Sequence, residues 1–317
     1  METLQYALRK FIYSIPLLFG VTLIAFTLMV YFGPDQTYQF LSKNPTPEEI
    51  ERVRSELGYD QAFAVRYVQY LGDLATLNLG NSNSSGERVT QILVKHIPVS
   101  VALALPGFIL SVVLGVSIAL IAAFYRGTWV DKGIMVFAVV GMSISFLIVV
   151  IAFQIIFCSF YGLNWFPVQG WDVDSVGSYL SHVTVPTMAI VFVALGYNTR
   201  FYRAVIVEEM NRDYVRTARA FGASPVKLLF KHVLKNAMIP IITRVIITLP
   251  FIVIGGNIII EKYFSIPGIG QVTLEAIISG DLPIVKAVVA LTAVLYVFAL
   301  ILTDISYKMI DPRVSYK

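Results

Sequence analysis

A single cysteine, Cys158, three histidines in 317 residues and a charged fraction of only 14% set the first limits on this chain. One cysteine closes no intramolecular disulfide and builds no thiolate metal site, so a disulfide scaffold and a zinc ribbon are both excluded. His96, His182 and His232 lie far apart, without ligand-like spacing, and no His-Glu-x-x-His run occurs, so no metal site is expected. There is no Gly-Lys pair anywhere, and hence no P-loop to cradle a nucleotide phosphate. Ser117 and Ser143 follow Gly-Val and Gly-Met but lack the second glycine of a nucleophile elbow, and small residues at such positions are expected to serve helix packing. The 21 glycines and 14 prolines follow no triplet period, which removes collagen-like classes. A formal net charge of +4 is too small to argue for nucleic acid.

Apolar residues dominate instead, at 57% hydrophobic and a mean hydropathy of +0.74, which excludes a water-soluble globular domain. A bilayer core of about 30 Å needs roughly 20 apolar helical residues. Phe11 to Phe32 is uncharged for 22 residues, Ile97 to Tyr125 for 29, and a third uncharged stretch opens at Gly133 and runs to about Tyr161. Val183 to Thr199, Ala237 to Ile260 with Arg244 inside it, and Ala287 to Thr303 complete six candidate spans. The first run is longer than a secretory signal core of about 7 to 15 residues and ends in no small-x-small site, so it is expected to stay as a membrane helix.

Lys and Arg in the short loops set the orientation. Arg9 and Lys10 precede the first span, Arg126 and Lys132 flank the second turn, and Lys308, Arg313 and Lys317 mark the tail. Residues 162 to 182 carry none, and 261 to 286 carry only Lys262 and Lys286. Both termini are therefore expected in the cytoplasm, with 33 to 96 outside. That outer segment holds a capping box, Thr46-Pro47-Glu48-Glu49, with Gly58 as a helix stop. Asp60 is placed to cap a second helix, in which Phe63, Tyr67, Tyr70, Leu71 and Leu74 form one apolar stripe. The insertion reads either as a docking or lid element or as a small helical pack over the ends of the membrane helices.

The loop from Arg200 to Lys235 is the most informative stretch, with eight Lys and Arg against Glu208, Glu209 and Asp213. Gly222-Ala223-Ser224-Pro225 reads as a left-handed helix stop followed by the cap and first residue of a new helix. In the first of these helices Tyr214, Ala218 and Phe221 are spaced i, i+4, i+7, which predicts an apolar knob ringed by arginines. Such a knob suits a protein partner, while the charge alone equally suits anionic membrane lipid.

At this point the residues match a family. Asp213-Tyr214-Val215-Arg216-Thr217-Ala218-Arg219-Ala220-Phe221-Gly222 resembles the cytoplasmic EAA loop of ABC importer permeases, in the variant typical of dipeptide and oligopeptide permeases. The resemblance extends to Ile-Pro-Leu-Leu-Phe in the first span, to Glu261-Lys262-Tyr263-Phe264-Ser265-Ile266-Pro267-Gly268-Ile269-Gly270-Gln271, and to Asp311-Pro312-Arg313. Aligned on Gly222, the general loop pattern would have Glu at Arg216, Ala at Thr217 and Pro at Lys235, so only Ala218 and Gly222 keep its core.

The resemblance implies an all-α membrane protein with six transmembrane helices, a type I ABC importer permease fold. It would comprise 1–32 as the N-terminus and first helix, 33–96 as a helical extracytoplasmic insertion, and 97–317 as the core permease domain with a coupling loop at 200–236. It implies no catalysis by this chain and no directly bound cofactor. ATP and Mg would be used by one or two ABC ATPase subunits, docked on Asp213, Tyr214, Arg216, Ala218, Arg219, Phe221, Gly222 and Pro225. A second homologous permease, an extracytoplasmic substrate-binding protein and a peptide substrate would complete the system, in a bacterial plasma membrane and without nucleic acid. Nickel chelates or sugar oligomers are the alternative cargoes, and an ion-coupled transporter or channel is the alternative class. Arg244, about 12 Å into its helix at 1.5 Å per residue, could meet a peptide carboxylate, snorkel to the surface or pair with a neighbouring subunit. Glu261, Pro267, Gly268 and Gly270 read as an outer gate with special backbone angles, or as an ordinary structured loop.

Overall fold

A computed structural model describes residues 2–33, 35, 37, 41, 45–254 and 257–310. The expected motif at Asp311-Pro312-Arg313 and the tail cations Arg313 and Lys317 lie outside the described residues, as does the side chain of Lys308. The described residues are helical apart from turns, loops and one isolated antiparallel bridge between Asn81 and Arg88. The chain divides into two compact units, Met1–Pro98 with Gly268–Phe298, and Val99–Pro267 with Ala299–Lys317. The segment Gly268–Phe298 belongs to the first of these units.

In the first unit, helix α1 (Glu2–Phe32) carries an apolar span from Arg9 to Phe32, 24 residues long. The capping box then starts α2 (Pro47–Glu56): the Thr46 hydroxyl accepts from the Glu49 amide and the Glu49 carboxylate accepts from the Thr46 amide, both at 3.3 Å. Gly58, at φ +71°, follows its end. Helix α3 (Phe63–Ala75) is capped by Ala62 without a side-chain bond, so Asp60 does not have the capping role expected of it. The helix starts two residues too late for Asp60 to be its cap. The aromatic stripe of α3 packs on α1: Tyr70 stacks on Phe26 at 5.2 Å, Phe63 and Tyr67 lie 5.5 and 5.6 Å from the same ring, and the Tyr67 hydroxyl donates to the Phe19 carbonyl at 2.9 Å. This is the arrangement of a helical pack built on a membrane helix.

The second unit contains most of α4 (Val89–Phe124), the paired α5 (Trp129–Ser143) and α6 (Phe146–Cys158), the long α7 (Val176–Met210), the short α8 (Asp213–Ala220) and α9 (Pro225–Lys227), a π turn at Leu228–Val233, α10 (Leu234–Ile254) and α11 (Ile258–Tyr263). Helix α12 (Ile269–Ser279) belongs to the first unit and α13 (Leu282–Ile310) begins there. Among the described residues, five helical stretches are long and apolar enough to cross a membrane, and the α5–α6 pair makes a sixth when counted as one span. That pair falls on the third expected span and bends by 94° at Ile144, in extended backbone, and Ser145, at φ −59° and ψ 133°. An uncharged run measures apolar length and carries no information on direction.

Glycines bring the long helices of this unit together. A Cβ on Gly196 of α7 would lie 2.7 Å from the Ala138 carbonyl of α5, and one on Gly115 of α4 would lie 2.9 Å from Asn198 of α7. Close approach of backbones through small residues is how membrane helices gain packing without a hydrophobic driving force. The packing role expected around Gly115 is the observed one.

Candidate functional site

Helix α7 ends at Met210, with Asn211 as its cap, and α8 starts again at Asp213 in the charged loop. The reversal after α8 is the one expected: Gly222 sits at φ +80°, the Ser224 hydroxyl accepts from the Lys227 amide, and Pro225 opens α9. Inward, Val215 is only 2% exposed, in a core with Ala119, Leu120, Tyr202, Ile206 and Leu229. This anchor was not singled out in the sequence, although a β-branched apolar residue between charges in an eight-residue helix is its signal.

The expected three-residue knob is resolved differently. Ala218 is half-buried and packs towards the same core as Val215, and Tyr214 is tied down by donating its hydroxyl to Glu209 at 2.6 Å. Burial first, and then Glu209, pushes the Tyr214 phenol up to about 12. Phe221 alone projects fully, at 88% exposure. It is the cap of α8, and its amide still donates to the Thr217 carbonyl at 3.1 Å. Val226 and Phe230, both more than half exposed, add apolar surface just after the turn that the sequence reading left out.

The arginines of this loop divide into two groups. Arg203 on α7 makes a two-pronged ion pair with Asp131 of α5, at 2.5 and 2.6 Å, and the Gly127 amide donates to the same carboxylate at 2.9 Å. Asp131 is 4% exposed, so the pair clamps α5 to α7 and is no part of a docking surface. Arg212 pairs with Glu208 and Glu209 at 3.3 and 3.6 Å, and Arg216 with Asp213 at 3.5 Å. These are exposed pairs, which order side chains more than they stabilise the fold. Arg216 and Arg219 remain at the surface beside Phe221 in sequence.

Arg244, within α10, lies with its guanidinium 4.5 Å from the centre of the Phe201 ring. A cation over an aromatic face keeps its charge partly compensated away from water. It lines a cavity of about 300 Å³ between α4, α7 and α10 whose polar walls are Ser111, Tyr197, Asn198, Thr248 and Asn257. Phe108, Phe251 and Ile252 supply apolar walls. The cavity thus offers one cation, several neutral donors and acceptors, and hydrophobic surface.

Glu261 is 1% exposed and accepts a hydrogen bond from the Ser100 hydroxyl at 2.6 Å. Of the neighbouring turn, Gly268 caps α12 at φ −94° and ψ 172°, and Gly270 is a buried helical residue. The special backbone angles expected there are absent at both glycines. The left-handed residue is Ser265, at φ +52°, and α12 follows directly after Pro267 and Gly268.

Residues 115–316 match the family model of the binding-protein-dependent transport system inner membrane component. Residues 3–104 match the model of the N-terminal part of such a membrane component. A relative from Brucella abortus named as a peptide transport system permease protein is 33% identical over 312 residues, 98% of each chain. The dipeptide transport system permease protein DppB of Alkalihalophilus pseudofirmus is 28% identical over 99% of this chain and 100% of its own length. The oligopeptide transport system permease protein AppB of Bacillus subtilis is 27% identical over 98% of this chain and 99% of its own. With nearly every residue inside one of two matched regions, and an all-helical fold of membrane-spanning length, the chain belongs to the family of binding-protein-dependent transport system inner membrane components.

Proposed function

We propose that the chain is one of two permease subunits of an ATP-driven importer of short peptides in a bacterial plasma membrane, with both termini cytoplasmic. The observation that carries this reading is the projection of Phe221 from a helix whose exposed residues include Arg216 and Arg219, held by Gly222 and by the Ser224-Pro225 start of the next helix. An exposed aromatic ring in a basic surround is what a partner's apolar pocket with an acidic rim would receive. Val215 ties α8 into the core shared by α4, α7 and the π turn, so force applied at Phe221 is delivered to the membrane helices rather than lost in a loose loop.

In this reading the ATP and Mg belong to one or two ABC ATPase subunits, and this chain contributes motion and a path. An extracytoplasmic binding protein delivers the peptide, and the second permease completes the path. Arg244 and the polar wall of its cavity are placed to meet peptide charge and amide groups along the way. Peptide as cargo rests on the family and on what relatives of nearly full coverage are named for.

The test is the assembled transporter in proteoliposomes, with its partner subunits and binding protein, read by peptide-stimulated ATP hydrolysis and peptide uptake. F221D leaves the buried core untouched, and A218R and G222D disturb the docking helix and its stop. Each is expected to insert normally and to lower coupled uptake by about tenfold or more, the scale of losing a central aromatic anchor. Wild-type uptake in F221D, or stimulation by nickel chelates or sugar oligomers and not by peptides, would overturn the coupling or the cargo respectively.

A further inference from the structure

The first unit contains a second cavity of about 300 Å³, enclosed by α1, α3, the 78–80 turn and the first turn of α13, on the side that the Lys and Arg distribution places outside. Its charged lining is unequal: Arg66 and Lys286 against Asp73, with Gln69 and Asn78 as neutral polar groups. Neither cation is ion-paired among the described residues. Arg66 lies 4.9 Å over the Tyr59 ring and Lys286 lies 5.8 Å from the centre of the Phe26 ring, so aromatic faces hold both in place without neutralising them. Arg66 and Asp73 are near enough to Lys286 to act on it electrostatically, which makes the three one cluster. Tyr70, also in the wall, titrates only near 12 because it is buried, so it adds no negative charge at neutral pH.

Two cations against one carboxylate leave the cluster net positive, an unfavourable arrangement unless something of opposite charge visits it. We infer that this cavity is an extracytoplasmic subsite for the charged ends of a short peptide, with Arg66 and Lys286 receiving the terminal carboxylate and Asp73 the terminal ammonium. The volume is at the lower end of the range for small-molecule sites, which suits a di- or tripeptide. Gln69 and Asn78 can meet its amides, and Phe26, Leu57 and Leu74 offer apolar wall to its side chains. Asn78 already donates to Asp73 at 3.5 Å, leaving that carboxylate able to accept more bonds. The inference rests on the peptide reading above and adds a site distinct from the cavity of Arg244.

The test uses the assembled transporter in nanodiscs of zwitterionic lipid, without the binding protein. Fluorescence anisotropy follows a tripeptide labelled on a side chain, offered with a free C-terminus and as its C-terminal amide. Wild type is expected to bind the acid about tenfold more tightly than the amide, the discrimination of one charge-assisted contact. R66Q and K286M are each expected to erase that difference, and K286R to restore most of it. Equal binding of acid and amide by wild type, no binding of either, or a preference that survives both substitutions would overturn the subsite. Peptide uptake by the same complex with its binding protein is the separate control. If uptake proceeds while the preference is missing, this inference fails alone, and if no peptide is taken up, the peptide reading fails and the subsite with it.

Discussion

Asp281, in the turn between α12 and α13, is 1% exposed and collects the hydroxyls of Ser82 and Ser84 at 2.6 and 2.7 Å and the Ser84 amide at 3.1 Å. Burial pushes its carboxyl up, and these donors together outweigh burial and hold it below the usual carboxylate value. A carboxylate whose folded value is depressed stabilises the fold fully above its unfolded value near 3.9, and that contribution vanishes as pH falls through the lower folded value. D281A is therefore expected to cost about 3 kcal/mol at neutral pH, from two charge-assisted bonds, and to flatten the loss of thermal stability below about pH 4. Melting temperatures of parent and variant in detergent from pH 7 to pH 3 check both. A cost that persists unchanged at pH 3 would contradict the assignment. Nothing in the sequence pointed here, because Asp281 lies 199 and 197 positions from Ser82 and Ser84 and each residue is ordinary alone.

Between the Gly222 turn and α10, the backbone from Leu228 to Val233 winds as a π turn, with the Leu234 amide donating to the Leu229 carbonyl. Such a turn holds one residue more than an α turn of the same rise. Removing the exposed Phe230 should restore an α turn and leave Val215's core and Arg244's ring contact in register. Removing Met238, in regular α-helix, should rotate everything beyond it by about 100° and carry Arg244 off Phe201. Intrinsic-fluorescence melting is expected to place the first deletion close to the parent and the second well below it. The elements themselves were largely legible: the Thr46 to Glu49 box, the Gly222 stop and the Ser224-Pro225 start are local chemistry, and the structure has each of them. Asp60 was misjudged because where α3 starts is decided outside its own few residues, and the corner at Ile144 and Ser145 leaves no mark on an uncharged run.

On the scale of the whole chain, hydropathy was a good guide to how much of it crosses a membrane, and a poor one to which charges face a partner. Arg203 looks like its neighbours in sequence and is withdrawn from the surface by Asp131, 72 positions away. The same limit governs the bent span. Alone in lipid, the residues around Ile144 and Ser145 would leave backbone amides and carbonyls without partners, at several kcal/mol each, so the isolated segment should be a straight helix. The bend is therefore expected to form only once α7 is present to bring Gly196 against Ala138. Spin labels at Trp129 and Cys158 should sit about 43 Å apart in a chain truncated at residue 175, as 1.5 Å per residue requires. In the full chain the 94° corner should bring them to about 30 Å. A short distance in the truncated chain would mean that the corner is written locally. Otherwise, the order in which ribosomes deliver the helices is part of how this molecule acquires its shape.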